Sequence, residues 1–203
     1  MKTIVIAGAD GSGKTTLCNA LEKSLRLQGY KVEVATIWDI LDKNLFIAPV
    51  NKQGIAKYLQ TLSCHARSLF LFHSMAQAIH VAQKENPQIL VINSYWYKYY
   101  ISEILHGALR DDVDAMVKIF PKPNLVYYLD ISPVTSLKRK EVISGYESGY
   151  ERDKEKGFLT FQKKAQQEWD KIKQPNWKNL DTSLSIEDLA RTVFEDIQKE
   201  MLL

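Results

Sequence analysis

The chain predicts a three-layer α/β fold, a five-stranded parallel sheet with helices on both faces and a short lid. Three observations predict it. Five short apolar runs punctuate the sequence, helical periodicity fills the gaps, and the two kinds of segment alternate. Strands separated by that much helix are joined by crossovers and so run parallel. The 203 residues are one domain's worth of chain, and a single domain over 1–203 is the expectation. With 45% apolar and 25% charged residues, a mostly disordered or collagen-like chain is excluded.

The elements follow in order. Thr3 to Ala7 is almost continuously apolar, as a strand covered on both faces must be. Leu17, Leu21 and Leu25 put one apolar stripe on the first helix. Lys31 to Ile37 reads as the second strand, and two helical stretches fill 52 to 85. Ile89 to Ile92 is the third strand, Leu125 to Leu129 the fourth, and a weaker run at Trp177 to Leu180 the fifth. Ile186, Leu189, Val193 and Ile197 stripe the last helix. Two glycines between Ser144 and Tyr150 interrupt a charged helical region, which predicts a mobile lid at about 140–160.

Charge narrows the function. The net charge of +3 is too small for a nucleic-acid binder. The surplus is concentrated, with eleven Lys/Arg against seven Asp/Glu in residues 138 to 178. No run approaches the roughly 20 apolar residues of a membrane span. The start, Met1-Lys2-Thr3-Ile4-Val5-Ile6, turns glycine-rich with no signal-peptide pattern. A cytoplasmic protein without membrane or nucleic-acid partners is expected. Cys18 and Cys64 read as reduced, partly buried thiols. His65, His73, His80 and His106 show no metal-ligand spacing.

Gly8-Ala9-Asp10-Gly11-Ser12-Gly13-Lys14-Thr15 satisfies G-x-x-x-x-G-K-S/T. Chance produces that pattern in about 1% of chains of this length. Here it also follows an apolar strand and opens an amphipathic helix. Its glycines aim backbone N–H groups at phosphate oxygens, at the positive end of that helix. Asp10, Gly11, Ser12, Gly13, Lys14, Thr15 and Thr16 are the candidate ATP-phosphate residues. Lys14 is placed to reach the β- and γ-phosphates, and the Thr15 hydroxyl to ligate Mg²⁺. The fold is then that of the P-loop NTPases.

Three features favour a small-molecule kinase over a switch or a motor. The chain is short, no N-K-x-D guanine-reading element is present, and the basic, glycine-hinged segment suits a lid that excludes water. Asp39, at the mouth of the second strand, is a candidate base toward a hydroxyl acceptor or else a solvated loop carboxylate. Of the aromatic cluster Tyr95 to Tyr100, most members read as core. Asp130 ends the fourth strand and is a candidate cap for the next helix.

The chain resembles the thymidylate kinases, within the nucleoside monophosphate kinase group. Asp10-Gly11-Ser12-Gly13-Lys14-Thr15-Thr16 is similar to that family's D-G-x-G-K-T-T. Leu69-Phe70-Leu71-Phe72 resembles the opening of its base-contacting helix, and Leu129-Asp130-Ile131-Ser132-Pro133 its L-D-V-x-P turn, with Arg139 at the family's spacing. Arg152, Asp153, Glu155 and Phe161 resemble the lid and the helix after it. Asn179-Leu180-Asp181-Thr182 and Ile186-Glu187-Asp188-Leu189 resemble the last strand and helix.

The resemblance implies Mg²⁺-dependent transfer of the ATP γ-phosphate to a nucleoside monophosphate, with dTMP the first reading and a homodimer a family habit. It implies Lys14 and Arg152 as catalytic cations, and Asp10 on the acceptor's sugar hydroxyl. Trp38, Asp39, Phe72 and Tyr95 are the other substrate candidates.

The acceptor half departs from the family. Its D-R-Y reads Asn93-Ser94-Tyr95 here, so Asn93 reaches the metal only through a bound water and Ser94 replaces a phosphate-holding arginine. A second phosphate arginine is lost at Thr36-Ile37-Trp38-Asp39, and the base-stacking arginine corresponds to Ala76. Two lost charge-assisted bonds remove about 3–6 kcal/mol. Lys43, Arg67 and Lys98 are candidate replacements. The alternatives are a kinase for a nucleoside or other small acceptor, and a nucleotide-binding protein with degraded catalysis.

Overall fold

The computed structural model describes residues 1–43 and 51–201. Strands β1 (Lys2–Gly8), β2 (Val32–Ala35), β3 (Ile89–Asn93), β4 (Leu125–Asp130) and β5 (Lys178–Asp181) form one sheet. Their order is β2-β3-β1-β4-β5, and every neighbouring pair is parallel. Helix α1 (Lys14–Leu27) links the first two strands. Then α2 (Asp39–Asp42), α3 (Lys52–Thr61) and α4 (Cys64–Lys84) lead to β3. Helices α5 (Tyr95–Leu105) and α6 (Arg110–Val117) precede β4, α7 (Pro133–Lys138) and α8 (Lys154–Ile172) precede β5, and α9 (Ile186–Met201) closes the chain.

Period-two alternation sorts the core into two layers. Ile4, Ile6, Ile89, Val91, Tyr127 and Leu129 face α1 and α9. Their neighbours Val5, Ala7, Leu90, Ile92, Val126 and Tyr128 face the opposite layer of α4, α5 and α8. Adjacent strands β1 and β3 therefore lead into helices on opposite faces. Their carboxyl ends part to leave a crevice, the place where open parallel sheets bind ligands. Among the described residues, no helix is long and apolar enough to cross a membrane.

Three expectations change in detail. The second strand ends at Ala35, because the chain turns at Thr36 and the Asp39 carboxylate accepts from the Thr36 N–H at 3.3 Å. Residues 154–160 belong to α8, whose start is capped by Asp153 accepting from Lys156 N–H. The non-helical lid is thus residues 139–153. Helix α7 is capped by the Ser132 hydroxyl, not by Asp130, and Pro133 fills its first turn.

Candidate active site

The loop between β1 and α1 is held open by backbone geometry. Gly13 lies at φ 95° at the helix N-cap, with no side chain capping the first turn, so the N–H groups there remain available to an anion. Gly11 lies at φ 76° against α7, where a Cβ would meet the Ser136 carbonyl oxygen at 2.9 Å. The Ser136 hydroxyl donates to the Asp10 carbonyl and ties α7 to the loop. Lys14 is buried, and its Nζ donates to the Ala9 carbonyl at 2.6 Å and to Ser12 Oγ at 3.4 Å. Burial pulls the ammonium down to about 8, with Asp10 opposing.

Thr15 and the end of β3 meet across the crevice. Asn93 Nδ2 donates to Thr15 Oγ1 at 3.0 Å, while Asn93 Oδ1 accepts from the Ser94 hydroxyl at 3.1 Å. Ser94 and Tyr95 both have left-handed backbone, φ 72° and 53°, which non-glycine residues adopt at a cost and mainly at functional sites. One lone pair of the Thr15 hydroxyl accepts from Asn93, and its second remains for a hard cation. Among the described residues, no group of three or more His, Cys, Asp or Glu could hold a metal alone. The free lone pair of the Thr15 hydroxyl is a hard oxygen donor of the kind Mg²⁺ takes beside waters and substrate phosphates.

Beside the loop lies a cavity of about 490 Å³, lined by Trp38, Phe70, Ser74, Lys98, Tyr146 and Glu147 among mostly apolar neighbours. Lys98, from the second turn of α5, joins this cavity to the loop through an ion pair with Asp10. Burial alone would push the Asp10 carboxyl up, but Lys98 and then Lys14 hold it down at about 2. The same partner holds the buried Lys98 ammonium above the ordinary lysine value.

The lid closes one wall of the cavity. Lys140 Nζ pairs with Glu147 Oε1 at 2.6 Å, and Glu147 Oε2 accepts from Ser144 N–H at 3.1 Å. Tyr146 Oη donates to Glu103 Oε1 at 2.9 Å. Glu103 is fully buried and also accepts from Arg67 Nε at 2.9 and 3.0 Å and from Ser68 Oγ at 3.3 Å. The His106 ring packs among Tyr146, Tyr150 and Phe161 with centroids 4.7, 5.1 and 4.9 Å away. Burial, aided by Arg67, pulls that imidazole down to about 4. Val142, Ile143 and Lys154 line the cavity and also a second, open hollow of about 580 Å³ that Leu137, Lys138 and Lys140 complete.

Several expected residues stand elsewhere. Phe72 is buried against Phe120, with ring centroids 6.1 Å apart, and Phe70 lines the cavity in its place. The cause is helical phase: Phe70, Leu71 and Ser74 share one face of α4, and Phe72 turns to the core. Tyr95 is wholly buried, and its hydroxyl donates to the Pro121 carbonyl at 2.5 Å. Arg152 is exposed at the end of the lid, whereas the Lys140 stem packs against the loop, its Cγ 3.4 Å from where a Gly11 Cβ would sit, and its ammonium pairs with Glu147. Arg139 donates to the Thr182 carbonyl at 2.9 Å and anchors the lid's base.

Trp38 lines the cavity; Asp39, one residue on, is buried beside it and pairs with Lys43 at 3.4 Å. Burial raises the Asp39 carboxyl, with Lys43 opposing. Of the three candidate replacement cations, Arg67 is held by Glu103 and Lys43 by Asp39. Only Lys98 of the three lines the cavity. Phe70 lies in the quoted helix opening and Tyr146 and Glu147 in the expected lid, but helix phase and lid closure, which the sequence does not show, decide that these members line the cavity.

No protein-family model matches the chain. It is 24% identical to a probable thymidylate kinase of Thermococcus gammatolerans, covering 98% of this chain and 97% of that one. A thymidylate kinase of Danio rerio is 25% identical, with 98% and 90% covered. A probable thymidylate kinase of Metallosphaera sedula is 32% identical over 68% of this chain and 65% of its own. Among solved structures, a deoxyadenosine kinase from M. mycoides with bound dATP superposes with a TM-score of 0.59 at 15% identity. That superposition covers 97% of this chain and 99% of the other, which makes the architecture common to both. The near-full-length likeness to proteins named thymidylate kinase and the architecture shared with a deoxyadenosine kinase support a nucleotide kinase.

Proposed function

We propose that the protein transfers the ATP γ-phosphate, with Mg²⁺, to a nucleoside monophosphate, and that dTMP is its acceptor. One observation carries the reading: Lys98, which lines the apolar cavity, pairs with Asp10 of the phosphate loop, so the two sites adjoin. Donor phosphate and acceptor are thereby held side by side, and phosphoryl transfer needs little beyond such positioning and charge neutralisation. The homologues named thymidylate kinase support the choice of acceptor.

In this reading Lys14 exchanges the Ala9 carbonyl for β- and γ-phosphate oxygens, bonds in which both partners are charged. Asn93 orients Thr15 through its amide, and Thr15 offers its hydroxyl oxygen to the metal. Thr15 would hold Mg²⁺ together with the substrate's phosphates, and the ion would supply positive charge against the triphosphate. Lys140, whose stem packs against Gly11, brings the lid's positive charge to the phosphates once its ammonium leaves Glu147. The lid also keeps water from the γ-phosphate, which favours transfer over hydrolysis.

A second reading has a specific observation behind it. Asp39 is buried beside Trp38, and burial raises its carboxyl, which suits a base toward the hydroxyl of an uncharged nucleoside. An ADP-release assay with Mg·ATP against deoxynucleoside monophosphates and nucleosides, with Lys14→Ala as blank, separates the two. Lys14-dependent turnover greatest on dTMP supports the first reading. Turnover on a nucleoside alone, abolished by Asp39→Asn with ATP affinity retained, supports the second.

A further inference from the structure

The family's two acceptor-phosphate arginines are absent, yet the acceptor cavity is not without a cation. Lys98 is the buried one, its side chain 19% exposed and Asp10 its ion-pair partner. Lys57 and Lys154, the other lysines of the lining, are exposed residues of α3 and of the start of α8. Lys98 lies between the cavity and the phosphate loop, where donor and acceptor phosphates must approach each other. Its ammonium has three donors on a flexible stem, so it can turn from a carboxylate to a phosphate without moving α5.

We propose that Lys98 receives the acceptor's phosphate by giving up its ion pair with Asp10, which makes the pair an exchange lock that selects the acceptor. The inference rests on the monophosphate reading above and names the residue that confers it. Breaking the pair leaves two buried charges, and each needs a new partner. A monophosphate supplies both: its phosphate takes Lys98, and a sugar hydroxyl donates to Asp10. A nucleoside offers Asp10 a hydroxyl but gives Lys98 nothing in return. Inorganic phosphate takes Lys98 but leaves Asp10 without a donor. The lock therefore admits acceptors carrying both groups and discriminates against those carrying one.

The test is a set of Lys98→Met and Lys98→Arg variants, first checked for folding by thermal melts. Lys98→Met keeps the stem and removes the charge, and Lys98→Arg keeps the charge. Two readouts are taken: KM and kcat on dTMP and ATP, and binding of dTMP and thymidine followed by the fluorescence of Trp38 at the cavity mouth. With Lys98→Met, KM and Kd for dTMP rise about 10- to 100-fold. KM for ATP stays within about twofold, the affinity for thymidine rises because no cation is left uncompensated, and Lys98→Arg restores most of the loss for dTMP.

Unchanged dTMP binding in a folded Lys98→Met protein overturns the assignment while leaving the kinase reading intact. Lys98-dependent dTMP binding without turnover overturns the kinase reading and leaves the assignment. Equal loss for dTMP and thymidine overturns the lock, since the residue would then only shape the cavity.

Discussion

The phosphate loop and the acceptor cavity are neighbours built in opposite ways. The loop is eight consecutive residues whose function resides in backbone: glycines at positive φ and N–H groups at a helix start. The cavity is assembled from α2, α3, α4, α5 and the lid, with α3 and the lid lending most of the lining and the other helices two or three residues each. A site made of backbone cannot be altered piecemeal, because each glycine is enforced by sterics, as the Ser136 carbonyl enforces Gly11. A site made of side chains on separate helices can exchange them one at a time, and here arginines are gone while a lysine faces the cavity.

The contrast is open to tests of decreasing size. Lys14→Ala should lower kcat about a thousandfold on any accepted acceptor, measured as ADP release. A small loss would mean that the donor half is not the intact half. Next, Glu103→Ala leaves the Arg67 guanidinium buried and unpaired and removes the Tyr146 anchor. Urea denaturation should show about 3–5 kcal/mol less stability, with Tm lower by roughly 10 °C or more. A variant as stable as the parent would mean that the lid is not fastened to α4 and α5 through this carboxylate.

The third test is pH. Burial holds Lys14 at about 8, so its charge is present below that pH and lost above it. A charged Lys14 favours phosphate, so ATP affinity should fall by up to about tenfold per pH unit above 8. A titration between pH 7 and 9.5 checks this, and a flat profile contradicts the depressed value. The smallest effect is expected of Asn93→Asp, which restores a carboxylate beside Thr15. Half-saturating Mg²⁺ should drop about two- to fivefold, read from activity against Mg²⁺ concentration.

The same contrast explains what the sequence could reveal. Strands of β1 and β3 were legible because both faces are covered and the runs are continuously apolar. The loop was legible because its spacing is its geometry. The direct bond from Asn93 to Thr15 was not legible: it follows from the strand register that places Asn93 beside β1. Phe72 and Tyr95 were misjudged for one reason, that residue type does not say which way a helix position faces. Phe70 and Phe72 differ by about 200° around α4, and one meets the cavity while the other meets the core. Arg152 and Lys140 carry the same charge in the same lid, and only packing against Gly11 tells them apart.

The lid is a partition as well as a cover. Val142 and Ile143 line both the cavity and the open outer hollow, so the same two residues meet the interior and the outside. Whatever settles against the lid's inner side presses on residues whose other side meets solvent. The state of the interior is thereby written on the exterior. A dye attached at Val142, 76% exposed, would read each filling and emptying of the chamber without entering it, one turnover at a time.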